Sequence, residues 1–241
     1  MRVILCKNYE EISKQAAKIL ASQIILKPES VIGFATGSTP VGLYQNLIEM
    51  YKAGELDFSN VTGFNLDEYY PIVKDNSQSY YYFMQENLFK FINMKETFIP
   101  DGSTNNPEEE CKNYDALIDE HGGIDLQILG IGQNGHIGFN EPDENLNMNT
   151  HVTGLTKSTI EANSRFFDSI DEVPTKALTM GMASIMKAKK IILLASGKNK
   201  HDAIEELLTE NITTSNPSTL LKLHKDVILI VDEEAYKGFD L

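Results

Sequence analysis

The sequence predicts an α/β fold in which helices flank a mostly parallel central sheet, as a single domain over residues 1–241. Short apolar runs typical of buried strands alternate with segments of helical periodicity along the whole chain, as expected for parallel strands joined by crossover helices. Hydrophobic residues make up 41% of the 241 positions, which is enough for one large core. No internal repeat, low-complexity tract or linker divides the chain.

The first half of the chain shows the alternation clearly. A short apolar strand precedes an amphipathic helix, in which Ile12, Ala16 and Ile19 recur at helical spacing. Pro40 then opens a second helix, since proline is tolerated in a first turn. The predicted strands are 2–6, 30–35 and 61–66, and the predicted helices are 9–26, 40–51 and 79–91.

The second half continues the pattern. A helix with acidic residues in its first turn, which suits the helix dipole, ends at Gly122-Gly123. A mostly polar stretch at 143–150 is the best candidate for a mobile segment, and we expect a lid around residues 143–170. The predicted helices are 107–121, 200–208 and a short one within 156–167; the strands are 124–130 and 227–231, while 177–186 and 190–195 flank a crossover.

Composition excludes several classes of partner. The formal net charge of −14 argues against nucleic acid and anionic membranes. No apolar run approaches the roughly 20 residues of a membrane span, and no signal peptide is recognisable. Cys6 and Cys111 have no paired spacing and indicate free thiols in a reducing compartment. We therefore expect a soluble cytoplasmic protein.

The loop between the second strand and the second helix predicts an anion site. Gly37 permits a tight turn, and Thr36, Ser38 and Thr39 offer hydroxyl groups beside backbone N–H groups at the positive end of a helix. The loop is not a nucleotide-triphosphate loop, because no Gly-Lys-Ser/Thr follows it. An ordinary helix cap is the alternative, since Ser and Thr often precede helices.

Two adjacent acids, Asp67 and Glu68, follow the strand at 61–66. Their side chains point in different directions, so only one of them is expected to face a site. A carboxylate at the end of a strand can abstract a proton next to a carbonyl group. A solvated acidic turn is the alternative; metal binding is a further option, but no complementary ligand set accompanies these acids.

The glycine-rich loop at 130–142 carries the densest polar chemistry of the chain. A histidine side chain can gain or lose a proton near neutral pH, so His136 is a candidate acid or base. Glu141 can orient or protonate the imidazole, and Asn134 can accept a hydrogen bond from a ring nitrogen and so fix the tautomer. Four glycines let the backbone approach a ligand closely, which favours a functional role over a buried structural histidine.

Two cations complete the candidate set. Arg165 can clamp a phosphate through two parallel hydrogen bonds. Lys200 can add a second positive charge at the start of the helix at 200–208. Taken singly, each residue is equally compatible with an ordinary surface cation.

Together these segments resemble the glucosamine-6-phosphate deaminase family. They occur in the family's order and span most of the chain, so the combination is far more specific than any one of them. The matching segments are 36–40 (TGSTP), 64–69 (FNLDEY), 79–81 (SYY), 135–142 (GHIGFNEP) and 163–167 (NSRFF).

The resemblance implies a Rossmann-like fold without a metal or organic cofactor, and conversion of glucosamine 6-phosphate and water to fructose 6-phosphate and ammonia. It implies that Asp67 moves a proton between C2 and C1, and that His136, assisted by Glu141 and Asn134, opens the sugar ring. The residues implied to hold the substrate phosphate are Thr36, Gly37, Ser38, Thr39, Arg165 and Lys200.

The sequence departs from the family pattern twice. Many relatives carry Asp where this chain has Asn134. Some relatives are hexamers activated by N-acetylglucosamine 6-phosphate through basic residues, but residues 147–153 contain no Arg or Lys, and the chain stops at Leu241 soon after its last strand. We therefore expect an enzyme without allosteric control, with a monomer favoured over a homo-oligomer.

Two other functions remain open from the sequence. A 6-phosphogluconolactonase shares the implied fold and phosphate loop, but it activates water and does not abstract a proton from C2. A non-catalytic sugar-phosphate sensor attached to a transcription regulator would require a DNA-binding domain and a basic surface, and neither is visible.

Overall fold

The computed structural model describes residues 1–156, 160–161, 169 and 172–238, and within them the chain forms two β-sheets. The larger sheet has seven parallel strands, and the smaller has three antiparallel strands. The strands are β1 (Arg2–Cys6), β2 (Val31–Phe34), β3 (Thr62–Asn65), β4 (Asp67–Tyr70), β5 (Glu96–Phe98), β6 (Leu126–Gly130), β7 (His151–Gly154), β8 (Lys176–Thr179), β9 (Lys190–Ala195) and β10 (Val227–Asp232).

Helices cover both faces of the parallel sheet. Alternate residues of each strand enter opposite hydrophobic cores, as the pleat requires: Ile128 packs with α1 and α2, whereas Leu129 packs with α4 and α6. The helices are α1 (Tyr9–Leu26), α2 (Val41–Lys52), α3 (Tyr80–Asn87), α4 (Pro107–Glu120), α5 (Met182–Met186), α6 (His201–Leu208) and α7 (Glu233–Tyr236). This arrangement confirms the predicted Rossmann-like α/β fold.

Strand order determines where a ligand can bind. The parallel sheet runs β1-β10-β9-β6-β2-β3-β5. The chain therefore leaves β2 toward β3 and β5 on one side, and later adds β6, β9 and β10 on the other. In such sheets a crevice opens at the carboxyl ends of the strands where the order reverses, here between β2 and β6.

The three-stranded sheet was not predicted. It has the order β4-β8-β7, and β4 begins two residues after β3 ends. Its strands have four residues each and carry polar side chains, so they leave little periodic signal in the sequence. Residues 177–186, predicted to flank a crossover, instead divide between β8 and the short helix α5.

Other boundaries differ in detail. The helix predicted over 79–91 ends at Asn87 and is followed by a 3-10 turn, Phe89–Phe91, because Leu88 leaves the helical region with φ −149°. Most of the predicted short helix at 156–167 lies outside the described residues. The predicted lid around 143–170 also lies partly outside them and stays a prediction. Among the described residues, none of the helices has the length and apolar character needed to cross a membrane.

Candidate active site

Four segments that contain predicted site residues leave the same edge of the parallel sheet. The loop containing Thr36 follows β2, the segment with Asp67 follows β3, the loop with His136 follows β6, and Lys200 follows β9. Because β3, β2, β6 and β9 are consecutive in the sheet and parallel, their carboxyl ends lie side by side. The structure thus brings these predicted segments together at the crevice.

The loop after β2 is fixed from both sides. The Tyr44 hydroxyl donates a hydrogen bond to the carbonyl of Ala35 and accepts one from its N–H. From α1, the Tyr9 hydroxyl donates to the carbonyl of Ser38 over 3.0 Å and accepts the N–H of Gly42 over 2.8 Å. Within this frame Gly37 has φ +90°, and Gly37 and Ser38 are exposed.

Helix α2 begins directly after this loop without a side-chain cap. Its N-cap residue is Pro40, which makes no capping hydrogen bond, so the predicted alternative of an ordinary Ser/Thr cap is wrong. The free N–H groups of a first helical turn and the positive end of the dipole favour a bound anion. The geometry is therefore compatible with phosphate at Thr36, Ser38 and Thr39.

Asp67 is a buried carboxyl group at the start of β4. Only 5% of its surface is exposed, and no described residue donates a hydrogen bond to its carboxylate. Burial raises its pKa well above the usual range, and the neighbouring negative charge of Glu68 raises it further. Asp67 therefore has the properties of a strong general base when it is deprotonated.

The adjacent Glu68 faces away and has a structural role. Its carboxylate accepts hydrogen bonds from the backbone N–H groups of Tyr69 at 2.8 Å, Tyr80 at 2.8 Å and Tyr81 at 2.9 Å. Burial raises its pKa to about 7, although these N–H groups favour the charged form. Glu68 thus caps the first turn of α3, and of the two acids only Asp67 lacks backbone donors among the described residues.

Tyr80 links this region to the loop after β2 (residues 36–40), which is called the anion loop from here on. Its side chain is hydrogen-bonded to Tyr69 and to Thr36, and burial raises its pKa well above the usual range. Its ring lies against Tyr69, with centroids 4.6 Å apart, and stacks parallel to Phe139 at 6.1 Å. In the sequence, Tyr80 was indicated only as part of the family-like segment at 79–81.

The loop after β6 holds His136 against a carboxylate. The ring Nδ1 lies 3.2 Å from Oε2 of Glu141, whose side chain is 9% exposed compared with 25% for His136. The ring packs over Gly132, where an added Cβ would lie within 2.5 Å of three ring atoms. The loop therefore needs glycine at 132 and presents an imidazole oriented by Glu141.

Asn134 supports this pair in a way that the sequence did not predict. Its Nδ2 donates to Oε2 of Glu141 over 2.7 Å, and its Oδ1 accepts the backbone N–H of His136 over 3.3 Å. The predicted hydrogen bond from a ring nitrogen of His136 to Asn134 is wrong, because Oδ1 of Asn134 accepts the backbone N–H and Nδ1 of the ring faces Glu141. Asn134 orients the carboxylate, which in turn orients the ring.

Of the two predicted cations, one can be placed. Lys200 is the N-cap residue of α6, at the end of a 3-10 turn that follows Gly197. Asp232 anchors this segment by accepting the Ser196 hydroxyl over 2.6 Å and the Gly197 N–H over 3.0 Å. Arg165 lies outside the described residues.

The chain matches a known protein family over most of its length. The model of the family described as glucosamine-6-phosphate isomerases/6-phosphogluconolactonase matches residues 7–230 of the chain. The chain belongs to this family. This membership agrees with the resemblance seen in the sequence segments.

Individual members of the family are similar over their full length. A protein of Halothermothrix orenii named glucosamine-6-phosphate deaminase is 59% identical over 237 residues, covering 98% of each chain. One of Clostridioides difficile with the same name is 55% identical, covering 98% of this chain and 95% of that one. A solved structure of a monomeric glucosamine-6-phosphate deaminase matches with a TM-score of 0.95 and 46% identity, covering 98% of both chains.

A solved structure of a protein with the second activity in the family's description shares the fold. A 6-phosphogluconolactonase structure from Leishmania guyanensis matches with a TM-score of 0.78 but only 20% identity, covering 100% of this chain and 99% of that one. At that identity the likeness is one of fold alone. The site residues, and not the fold, must therefore distinguish the two chemistries.

Replacing Glu68 tests its influence on Asp67. We expect Glu68→Gln to lower the pKa of Asp67, because a neighbouring negative charge is removed. The acidic limb of the kcat/KM profile with glucosamine 6-phosphate, which rises as the base deprotonates, should then move to lower pH. Stability should fall by roughly 1–3 kcal/mol, because the amide cannot accept all three N–H groups. Glu86→Gln, on the exposed side of α3, is the control; an acidic limb at its original pH in Glu68→Gln would contradict the prediction.

Replacing Asn134 tests the electrostatics around His136. We expect Asn134→Asp to place a second carboxylate beside Glu141 and to favour the charged imidazole. The limb of the pH–rate profile that reports His136 should therefore move to higher pH. Asn113→Asp, at an exposed position of α4, adds the same charge remotely. Equal shifts in the two variants would show a net-charge effect and refute a local one.

Proposed function

We propose that the chain is a glucosamine-6-phosphate deaminase, which converts glucosamine 6-phosphate and water to fructose 6-phosphate and ammonia. The observation that carries the proposal is the pairing of two proton-transfer groups at one sheet edge: the buried carboxyl of Asp67 and the Glu141-oriented imidazole of His136. Full-length similarity to proteins named as this deaminase supports it.

Ring opening is the first step that the site can perform. The substrate arrives as a closed pyranose, and a proton must move from the anomeric hydroxyl to the ring oxygen. His136 can accept and return that proton, because Glu141 holds its Nδ1 side and leaves Nε2 for the substrate. Asn134 keeps Glu141 in place through its 2.7 Å hydrogen bond.

Proton transfer between carbons is the second step. The open aldehyde acidifies the C2 hydrogen, and Asp67 removes that hydrogen as a proton to give an enolamine. Asp67 then returns the proton to C1. The raised pKa of the buried Asp67 carboxyl makes it a stronger base than an exposed aspartate. Water adds to the resulting C2 imine, and the adduct then loses ammonia and leaves the ketone.

Phosphate binding supplies orientation away from the reacting carbons. We assign the phosphate to the loop of Thr36, Gly37, Ser38 and Thr39, with Lys200 from β9's loop and with Arg165. Binding energy at this remote group can hold C1 and C2 against Asp67. Every step is a proton transfer or a hydrolysis, so the proposed mechanism calls for no metal or organic cofactor.

The carboxylate of Asp67, as a base for C2, favours a deaminase over a lactonase. Lactone hydrolysis requires activated water but no base at C2, whereas the isomerisation requires a carboxylate such as Asp67. The relatives named as deaminases are 55–59% identical, compared with 20% for the lactonase structure. A sugar-phosphate sensor would give no purpose to the two proton-transfer groups.

Oligomeric state and location belong to the same proposal. We propose a monomer without allosteric activation, because residues 147–153 offer no Arg or Lys for a second phosphate and the similar structure is that of a monomeric deaminase. We propose a cytoplasmic location, where the free buried thiols of Cys6 and Cys111 would stay reduced.

The activity is tested by incubating the pure protein with glucosamine 6-phosphate and measuring ammonia and fructose 6-phosphate together, without added metal or nucleotide. We expect equimolar products, and a fall in kcat of roughly 10²–10⁴-fold in Asp67→Asn, because the general base is lost. Asp119→Asn, at an exposed position paired with Lys187, should keep full activity. Folded wild-type protein that yields neither product would reject the deaminase, and hydrolysis of 6-phosphogluconolactone would support the lactonase.

Regulation is tested by varying substrate concentration with and without N-acetylglucosamine 6-phosphate. We expect hyperbolic kinetics that the added compound does not activate, and a mass by light scattering close to the 27.0 kDa of one chain. Sigmoidal kinetics that become hyperbolic with the added compound, or a hexameric mass, would contradict the proposal.

A further inference from the structure

The central strand of the small sheet, β8, contacts both the strand that carries Asp67 and the loop that carries His136. Strand β8 pairs with β4 so that Thr179 lies directly opposite Asp67. Residues directly opposite each other in an antiparallel pair project from the same face with neighbouring Cβ atoms. The side chain of Thr179, which is fully buried, is therefore the lateral neighbour of the Asp67 carboxyl group.

The same residue holds the loop that carries His136 and Glu141. The Thr179 hydroxyl oxygen accepts the backbone N–H of Phe139 over 3.1 Å. One residue later, the carbonyl of Met180 accepts Nδ2 of Asn140 over 2.8 Å. Phe139 and Asn140 lie between the two site residues of the loop, so the end of β8 fixes the loop at its middle.

Close packing sets the separation between the loop and β8. Gly138 has φ +60°, and a Cβ added there would lie 2.8 Å from the Thr179 hydroxyl oxygen. The loop backbone therefore approaches the threonine more closely than any other residue type at 138 would allow. The backbone of β8 also supports the other side, because Met180 donates its N–H to the carbonyl of Leu66 over 3.0 Å, just before Asp67.

We propose that Thr179 is a positioning residue, which fixes the loop of His136 and Glu141 relative to Asp67. The inference rests on the proposed function, since that reaction requires one group at the ring oxygen and the other at C1 and C2 of the same sugar. One residue connects the two: Thr179 lies opposite Asp67 in the β4–β8 ladder, and its hydroxyl oxygen accepts the N–H of Phe139 in the loop. Thr179 touches no reacting atom in this proposal.

The test compares Thr179→Val, Thr179→Ser and the wild type with glucosamine 6-phosphate. Valine keeps the branched shape but leaves the Phe139 N–H without an acceptor. We expect kcat to fall by about 10- to 100-fold, the effect of a displacement of around 1 Å. KM should change little, because the residues proposed to bind the substrate phosphate lie on other loops. Serine restores the hydroxyl, and kcat should return to near the wild-type value.

A matched control and a second readout separate positioning from general destabilisation. Thr62→Val makes the same substitution at a buried site at the opposite end of β3, and kcat should not change. In Thr179→Val, amide hydrogen exchange of the loop around 136–142 should become faster, while exchange in β9 and β10 should not. If valine prevents folding, the smaller Thr179→Ala is measured in the same way.

The outcomes distinguish this inference from the function on which it rests. Unchanged kcat and unchanged loop exchange in Thr179→Val, or equal losses in Thr179→Val and Thr179→Ser, would overturn the positioning role. Wild-type protein that makes no ammonia or fructose 6-phosphate would instead overturn the proposed function. In that case, the exchange measurement still decides whether Thr179 holds the loop.

Discussion

The burial of two adjacent carboxyl groups is the constraint on which the site depends. Glu68 recovers part of its lost hydration through three backbone N–H groups, and in doing so caps α3 and fixes Tyr80. Asp67 receives no such compensation among the described residues, so burial acts on its pKa directly. One acid stabilises the start of α3, and its neighbour is the proposed general base. Adjacent residues in a strand point to opposite faces, which makes this division possible.

Charge presents a second constraint, because a protein of net charge −14 must bind an anionic substrate. In the proposed site, the loop at 36–40 meets it with backbone N–H groups, hydroxyl groups and the start of α2, together with Lys200 and Arg165. Tyr9 and Tyr44 hold that loop from α1 and α2 without adding charge. In the proposed site, fixed dipoles therefore act together with Lys200 and Arg165, and the surrounding fold determines the orientation of the dipoles.

The two sheets carry different parts of the proposed site. The parallel sheet positions the loops after β2, β6 and β9, as it does in many α/β proteins. The antiparallel strands then connect Asp67 with the loop of His136, through the residues of β8 and the aromatic contacts of Tyr69 and Phe139.

The sequence by itself determined the alternating α/β pattern, the position of Asp67 just after a strand, and the positions of His136 and Glu141 in the loop after another, because periodicity and loop composition are local. The tertiary structure decided that Glu68 caps α3, that Asn134 bonds Glu141 and not the ring, and that β8 pairs with β4. Each of these depends on hydrogen bonds between segments that are distant in the chain or turn back on themselves. Four-residue strands with polar side chains carry too little periodicity to reveal such partners; only the packed backbone specifies which donor meets which acceptor.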